Sequence, residues 1–394
     1  MSIPSQHQLV LPFIETVKEL GGKAKPKDVY GTLADKVNIP PDERDKKTPG
    51  GVYRWDRHVR WTYQLAKLKG LIASPAFNTW ELTESGSKML MNARPGIVIT
   101  VYETPNGVCL WGECEAAQGF IEDNSINLIL TSPPYNLLRQ KEYAAPRNNE
   151  YLDWLLSLAN DWQRLLADDG SVVINLGGAY NKGTPTRNLY QWRFLLKLCD
   201  EIGYHLCQDF YWYNNAKLPA PAEWVNVRKI RVKDSVEHLY WLSKTPFPKA
   251  NNQNVLRPYS KTMTNVIKAG WKAQKRPSGH SLTGFNNNNG GSIPDNIIVK
   301  ANTTSNDQYM RYCKENRIKP HPARYPSEIP EFFIEFLTDP GDIVYDPFSG
   351  SNVTGAAAEK LGRRWITSEK SLYYIKGSKG RFIHTDLYEY TIPA

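Results

Sequence analysis

The sequence predicts a doubly wound α/β domain around a mainly parallel sheet, preceded by a small winged helix-turn-helix module. Three observations carry this. Apolar, strand-like runs alternate with amphipathic helical runs beyond residue 96. Two of those strands end in unusual residues, "TSPPY" at 131–135 and "DPFSGS" at 346–351. Residues 1–95 instead read as three helices followed by a hairpin.

In that first segment, "LVLPFIETVKEL" spaces apolar residues at helical intervals and stops at Gly21-Gly22. "KPKDVYGTLADKV" gives a second helix, and the polar, turn-rich "DERDKKTPGG" leads to a third, "YRWDRHVRWTYQLAKLKGLI". Gly70, the strand "LIAS", a turn from Pro75 to Asn78 and a strand "TWELTESG" breaking at Gly86 make the wing. Arg54, Arg57 and Arg60 on the third helix read either as a solvated face or as DNA contacts. Trp55, His58 and Trp61, interleaved with them, favour DNA. "ARPG" at 93–96 is the expected linker into a second domain, residues 96–394.

There, "NLILTS" (127–132) is a strand and "YLDWLLSLANDWQRLLA" an amphipathic helix. "SVVINLG", after the Asp169-Gly170 break, is a strand, and "LYQWRFLLKLCDEIG" a helix. "YHLCQDFYWYN" and "VEHLYWLSK" are two further strands. "DIVYDPFSGSNVTGAAAEKLG" reads strand, Gly-rich loop, helix, and "RRWITSEKS" adds a strand. Residues 250–320 are Asn- and Lys-rich, lack periodicity and contain "GFNNNNGGS", the mark of a long functional loop or irregular subdomain.

A chain of 394 residues is too long for one core, and 41% hydrophobic with 23% charged residues is an ordinary globular composition. Lys and Arg number 49 against 40 Asp and Glu, a net charge of +9. That favours a polyanionic partner such as nucleic acid, although ordinary soluble surfaces carry similar excesses. The five cysteines form no C-x-x-C pair, and nothing downstream matches Cys109 and Cys114, so no metal is expected. With an odd count and no leader-like start, free thiols in a reducing cytosol are expected. No run reaches membrane-spanning length.

In an open α/β sheet, ligands sit outside the carboxyl ends of the strands. "DPFSGS" opens a helix near Thr354; Gly350 permits a tight turn, and free N–H groups at the helix start face a ligand. It has neither G-x-G-x-x-G spacing nor a phosphate-loop lysine. The next strand ends in Glu369, where a carboxylate can take both hydroxyls of a ribose, so a nucleoside without phosphates fits. A purely structural turn fits as well. In "TSPPY", Pro133 and Pro134 lack N–H groups and hold their carbonyls rigidly, Ser132 offers a hydroxyl and Tyr135 a flat face. These suit a planar ring bearing an exocyclic amine; a loop stop with a packed tyrosine is the bland alternative.

The two motifs together resemble the S-adenosylmethionine-dependent DNA amino-methyltransferases of the β group, in which the catalytic motif precedes a target-recognition insert and the cofactor motif is C-terminal. The resemblance covers about 105–385, including 209–245 and "HPARYPSEIPEFFIEFLT" (321–338). It implies a Rossmann-like methyltransferase sheet. The serine of "TSPPY", where adenine-specific members usually carry Asp or Asn, implies cytosine-N4 specificity; adenine N6 is the alternative. The first module is similar to the winged domain at the start of Mrr-type restriction proteins, through "VRWTYQLAKLKGLI" and "WELTESG".

Carried over, the resemblance gives Ser132, Pro133, Pro134 and Tyr135 as the base clamp, with Thr131 beside them on the cofactor side. Asp346, Phe348, Ser349, Gly350, Ser351 and Asn352 form the cofactor loop, completed by His321 and Pro322. Glu369 is assigned to the ribose and Glu113 to the adenine amine. Two departures stand out: Glu113 replaces a shorter Asp, and Asn352 replaces a common Gly, tolerable because Asn can cap a helix. The implied reaction is direct in-line transfer from S-adenosylmethionine. No cysteine follows a proline, which argues against the covalent route to C5. The target cytosine must leave the duplex, at a cost of about a few kcal/mol. No strong base is legible, so water is expected to take the amino proton. Arg257, Lys261, Lys272, Lys275 and Arg276, within a recognition region at about 250–310, and the cluster containing Arg228 and Arg231 are the expected DNA contacts, or solvated surface. Double-stranded DNA is the expected partner, with a cognate restriction endonuclease a possible second. A different class, a non-catalytic DNA-binding regulator, would bind DNA and transfer nothing.

Overall fold

The computed structural model describes residues 4, 6–48, 50–135, 149–269, 287–303 and 305–390. It divides into two compact units, Met1–Asn92 with Ser371–Tyr373, and Ala93–Lys370 with Tyr374–Ala394.

The first unit carries the three expected helices, Gln6–Glu19, Pro26–Lys36 and Arg54–Leu68, plus a short turn of helix at Pro41–Arg44 within the polar connection. Strands β1 (Lys23–Ala24), β2 (Ile72–Ala73) and β3 (Trp80–Leu82) form an antiparallel sheet in the order β1-β3-β2. Trp80 organises the core: it stacks on Tyr63 at 4.7 Å between ring centroids and meets Phe13 edge-on at 5.3 Å. Two expectations are corrected. The second wing strand ends at Leu82, and Glu84–Met89 is helical, because the Thr83 hydroxyl accepts the Gly86 N–H at 3.0 Å and starts a helix there. Trp55 is 2% exposed, its indole N–H donating to the Tyr30 carbonyl, so it belongs to the core and not to a base-stacking face. Arg54, Arg57 and Trp61 remain exposed, one helical face.

Among its described residues the second unit has ten strands: β4 (Ile99–Thr104), β5 (Gly107–Trp111), β6 (Ile126–Thr131), β7 (Leu166–Leu176), β8 (His205–Tyr213), β9 (Val236–Ser243), β10 (Ile297–Val299), β11 (Ile343–Asp346), β12 (Arg364–Glu369) and β13 (Tyr388–Glu389). Their order is β10-β8-β9-β7-β6-β11-β12-β5-β4-β13. The middle run β5-β12-β11-β6-β7 is parallel, while β9 is antiparallel to both β7 and β8, and β4 to β5. The β4–β5 hairpin escaped the sequence reading, although alternation around an Asn-Gly turn marks it. β7 starts at Leu166, ahead of the expected Asp-Gly break, with a register shift against β6. The stretch 250–320 is more regular than its composition suggests: it holds helices Lys261–Ala269 and Gln308–Glu315 and the strand β10, which pairs in parallel with β8.

β6 is buried on both faces, with Ile126, Leu128, Ile129 and Leu130 at most 1% exposed; each such side chain stabilises by roughly 1.5–3 kcal/mol. Helix Asn149–Leu165 packs Tyr151, Leu155 and Trp162 into the same core as Ile129 and Ile174. From β6 the chain crosses to β7 on one side; from β11 it crosses to β12 on the other, through helix Val353–Lys360. The strand order therefore reverses between β6 and β11, and a crevice opens at their carboxyl ends. Both motifs of interest end there.

Candidate active site

β6 delivers Thr131, and β11 delivers Asp346, to opposite walls of that crevice. The Thr131 hydroxyl donates to Asp346 Oδ1 at 2.7 Å, tying the two motifs together. Asp346 is 2% exposed. Its Oδ1 also accepts the Phe348 N–H at 3.0 Å, and its Oδ2 accepts the Thr354 hydroxyl at 2.6 Å and the Tyr325 hydroxyl at 3.4 Å. Burial raises its pKa above the usual carboxylate value, opposed by these donors. With both oxygens held by protein donors, Asp346 ties the turn to β6 and to the helix that follows.

The loop beyond Asp346 turns on two left-handed residues, Gly350 at φ +51° and Asn352 at φ +56°. A Cβ on Gly350 would approach the His321 ring to 3.1 Å, which places His321 against the loop. The Gly350 N–H donates to Glu369 Oε2 at 3.0 Å, so the carboxylate ending β12 faces the turn. Asn352 caps helix Val353–Lys360: its Oδ1 accepts the Gly355 N–H at 3.1 Å, and its Nδ2 donates to the Tyr102 hydroxyl at 2.9 Å. Arg381 fixes Ser351 through its carbonyl (2.7 Å) and hydroxyl (3.1 Å). Phe348 meets Trp154 edge-on at 5.7 Å. The Ser349 Oγ is buried with no hydrogen-bond partner among the described residues, a polar atom left for a ligand. Glu113 stands at the N-cap position of helix Cys114–Gln118, just past β5, and its carboxylate pairs with Lys370 at 2.5 Å instead of capping the helix. Pro322 is exposed beside His321. The polar orphan, the tight turn and the two carboxylates fit a nucleoside-bearing cofactor without phosphates.

The clamp side is a hydrogen-bond network. Ser132 Oγ lies 3.1 Å from the Tyr135 hydroxyl and 3.5 Å from Asn175 Oδ1. The Tyr135 hydroxyl reaches Asn175 Oδ1 at 2.8 Å and Glu237 Oε2 at 3.0 Å. Asn175 is held in turn by the His238 carbonyl at 3.2 Å, and Glu237 Oε1 pairs with Lys217 at 3.0 Å. Burial, and then the Glu237 charge, push the Tyr135 phenol well above its ordinary pKa, so it stays protonated. Pro133 is buried; Ser132, Pro134 and Tyr135 are half-buried.

Thus Thr131–Tyr135, Asp346–Asn352, Glu369, Glu113 and His321 gather along the carboxyl ends of β6, β11, β12 and β5. The expected DNA contacts are dispersed. Arg228 pairs with Glu223 at 2.9 Å and lies over Trp224. Arg231 donates to the Pro185 carbonyl at 2.8 Å and lies over Tyr180. Both belong to the β8–β9 connection, which enters β9 beside Glu237 and so flanks the clamp. Arg257 and Lys261 are exposed; Lys272, Lys275 and Arg276 lie outside the described residues, and Arg54 and Arg57 are in the first unit. Asn175, Gly177, Lys217 and Glu237 were missed. Asn175 carries one signal, a lone polar residue near the end of an apolar strand.

A left-handed turn and a Ser-Pro-Pro-Tyr corner on facing strand ends mark a doubly wound protein whose ligand crevice lies at the switch point. The chain matches the DNA methylase family N6_N4_Mtase over residues 126–380 and belongs to it; residues 7–92 match the Mrr N-terminal domain. It is 46% identical over 292 residues to the Type II methyltransferase M.PvuII of Proteus hauseri, covering 73% of this chain and 87% of that protein. It is 27% identical over 257 residues to the Type II methyltransferase M.BglII of Bacillus subtilis, 65% of this chain and 63% of that protein. The solved structure of the cytosine-N4-specific PvuII DNA methyltransferase superimposes with a TM-score of 0.59 at 40% identity, covering 74% of this chain and 89% of that one.

Proposed function

We propose that the protein is a site-specific DNA methyltransferase that moves the methyl group of S-adenosylmethionine to N4 of a flipped-out cytosine, as the modification activity of a restriction-modification system. The observation that carries it is the serine at the clamp position: Ser132 Oγ, backed by Asn175 and Tyr135, faces the crevice whose other wall is the Asp346–Asn352 turn. The family membership and the 46% identity to a Type II methyltransferase support the same reading.

Ser132 Oγ and the Pro133 carbonyl hold the amine, and Tyr135 stacks on the ring. These contacts draw the N4 lone pair out of conjugation and aim it across the crevice. Ser349, Gly350 and Glu369 would hold the cofactor, with Glu113 toward its adenine and His321 and Pro322 closing the turn. Bound there, it supplies an electrophilic methyl group. Positioning of two reactants contributes on the order of 7–11 kcal/mol over collision in solution.

Residues 1–95 serve as a winged DNA-binding domain, residues 96–394 as the catalytic domain, and about 250–310 as the recognition region. Arg228, Arg231, Arg257 and Lys261, with Lys272, Lys275 and Arg276, contact duplex DNA; Arg54 and Arg57 add a second contact. Such an enzyme works at the nucleoid of a prokaryotic cytosol beside a cognate endonuclease. Mass spectrometry of nucleosides from DNA treated with the protein should show N4-methylcytosine, and Ser132→Ala should lower its formation by about 10²–10³-fold. N6-methyladenine as sole product would move the target to adenine; no methylated base would leave a DNA-binding regulator.

A further inference from the structure

The amine that accepts a methyl group must lose a proton, and the Ser132 hydroxyl is too weak a base to keep it. Ser132 Oγ, the Tyr135 hydroxyl and Glu237 Oε2 form an unbroken line, 3.1 Å and then 3.0 Å apart. Lys217 occupies the other carboxylate oxygen at 3.0 Å, which leaves Oε2 turned to the phenol. Tyr135 has a second acceptor in Asn175 Oδ1 at 2.8 Å. Its single proton can therefore rest on the amide and swing to the carboxylate without moving the ring.

We infer that Glu237 is the terminal proton acceptor of the transfer reaction, reached from the substrate amine through Ser132 and Tyr135. The inference rests on the reading of Ser132 as the amine's partner. N4 uses its lone pair to form the new N–C bond, the C–S electron pair stays with the departing sulfur, and the base is left with one proton in excess. That proton passes to Ser132 Oγ, the serine's own proton to the Tyr135 oxygen, and the phenol's proton to Glu237 Oε2. The carboxylate becomes a carboxylic acid, and every hydroxyl is restored. The Glu237 side chain, at the start of β9, keeps 12% exposure, a route by which the proton returns to solvent before the next turnover. Glu237 touches neither ligand and is a positioning residue that acts through Tyr135.

The test is the single-turnover methyl-transfer rate on a target duplex at neutral pH, for wild type, Glu237→Gln, Glu237→Asp, Tyr135→Phe and the double variant Glu237→Gln/Tyr135→Phe. Glu237→Gln should be slower by at least about tenfold, and Tyr135→Phe slower likewise. The double variant should be no slower than the slower single one, and Glu237→Asp should recover most of the rate that Glu237→Gln loses. Equilibrium binding of cofactor and duplex by the two Glu237 variants should stay within about twofold of wild type. A Glu237→Gln enzyme with the wild-type rate overturns the relay, as does one whose loss of rate is matched by a loss of binding. A wild-type protein that makes no N4-methylcytosine overturns the underlying functional reading, and the relay with it.

Discussion

Gly177 has no side chain because Tyr135 fills the space one would need: a Cβ there would lie 2.3 Å from the tyrosine ring. The clamp is thus set by the absence of an atom at the end of β7 as much as by its own residues. Gly177→Ala should displace the ring by the order of an ångström and cost about 10²-fold in transfer rate, while cofactor affinity stays near wild type. Isothermal titration beside a radiolabelled-methyl assay separates the two, and equal losses in both would show that Gly177 serves the general fold. Asn352 is the converse case, a side chain doing what a glycine commonly does. It takes the left-handed turn at φ +56° and uses both ends of its amide, one on Gly355 and one on Tyr102.

Among elements, the third helix of the first unit shows how a surface is divided. Trp55, Val59, Thr62, Tyr63 and Ala66 are buried, while Arg54, Arg57 and Trp61 face outward, Trp61 with 53% exposure. If that face holds DNA, Arg57→Ala should weaken duplex binding and reduce the slope of log K against log salt by about 0.9, one phosphate contact. The maximal transfer rate should not change. An unaltered slope would identify the arginine as part of a solvated face. The β8–β9 connection differs in kind, since Arg228 and Arg231 are already packed over Trp224 and Tyr180. Held in this way, their guanidinium groups would lose little rotamer entropy on meeting a phosphate.

For the whole molecule, each of the two units has a buried cluster that shares no residue with the other's: the first around Trp80 with Phe13, Tyr63 and Trp55, the second including Ile129, Trp162 and Tyr345. Calorimetry should therefore resolve two unfolding transitions. Trp80→Ala, which empties the centre of the first core, should lower only the first of them, at a cost of about 3–5 kcal/mol. A single transition shifted as one would show that the units unfold together. The larger sheet has the property that matters for function: its order reverses between β6 and β11, so two strand ends far apart in sequence become the walls of one crevice.

The sequence by itself determined the parallel sheet, the winged module and the two motifs of the candidate site, because each depends on local chemistry. Apolar runs mark buried strands, Pro-Pro and Gly write backbone rigidity and turn directly, and a serine next to them names the hydrogen bond it can make. Only the tertiary structure decided what surrounds those motifs. Asn175 lies 40 residues from Tyr135 and Glu237 lies 102 residues away, and both reach it because β7 and β9 take their places and register beside β6. The same packing turned Asp346 inward to four donors and buried Trp55. No local pattern records such partners, since register is set by the collective burial of the strands.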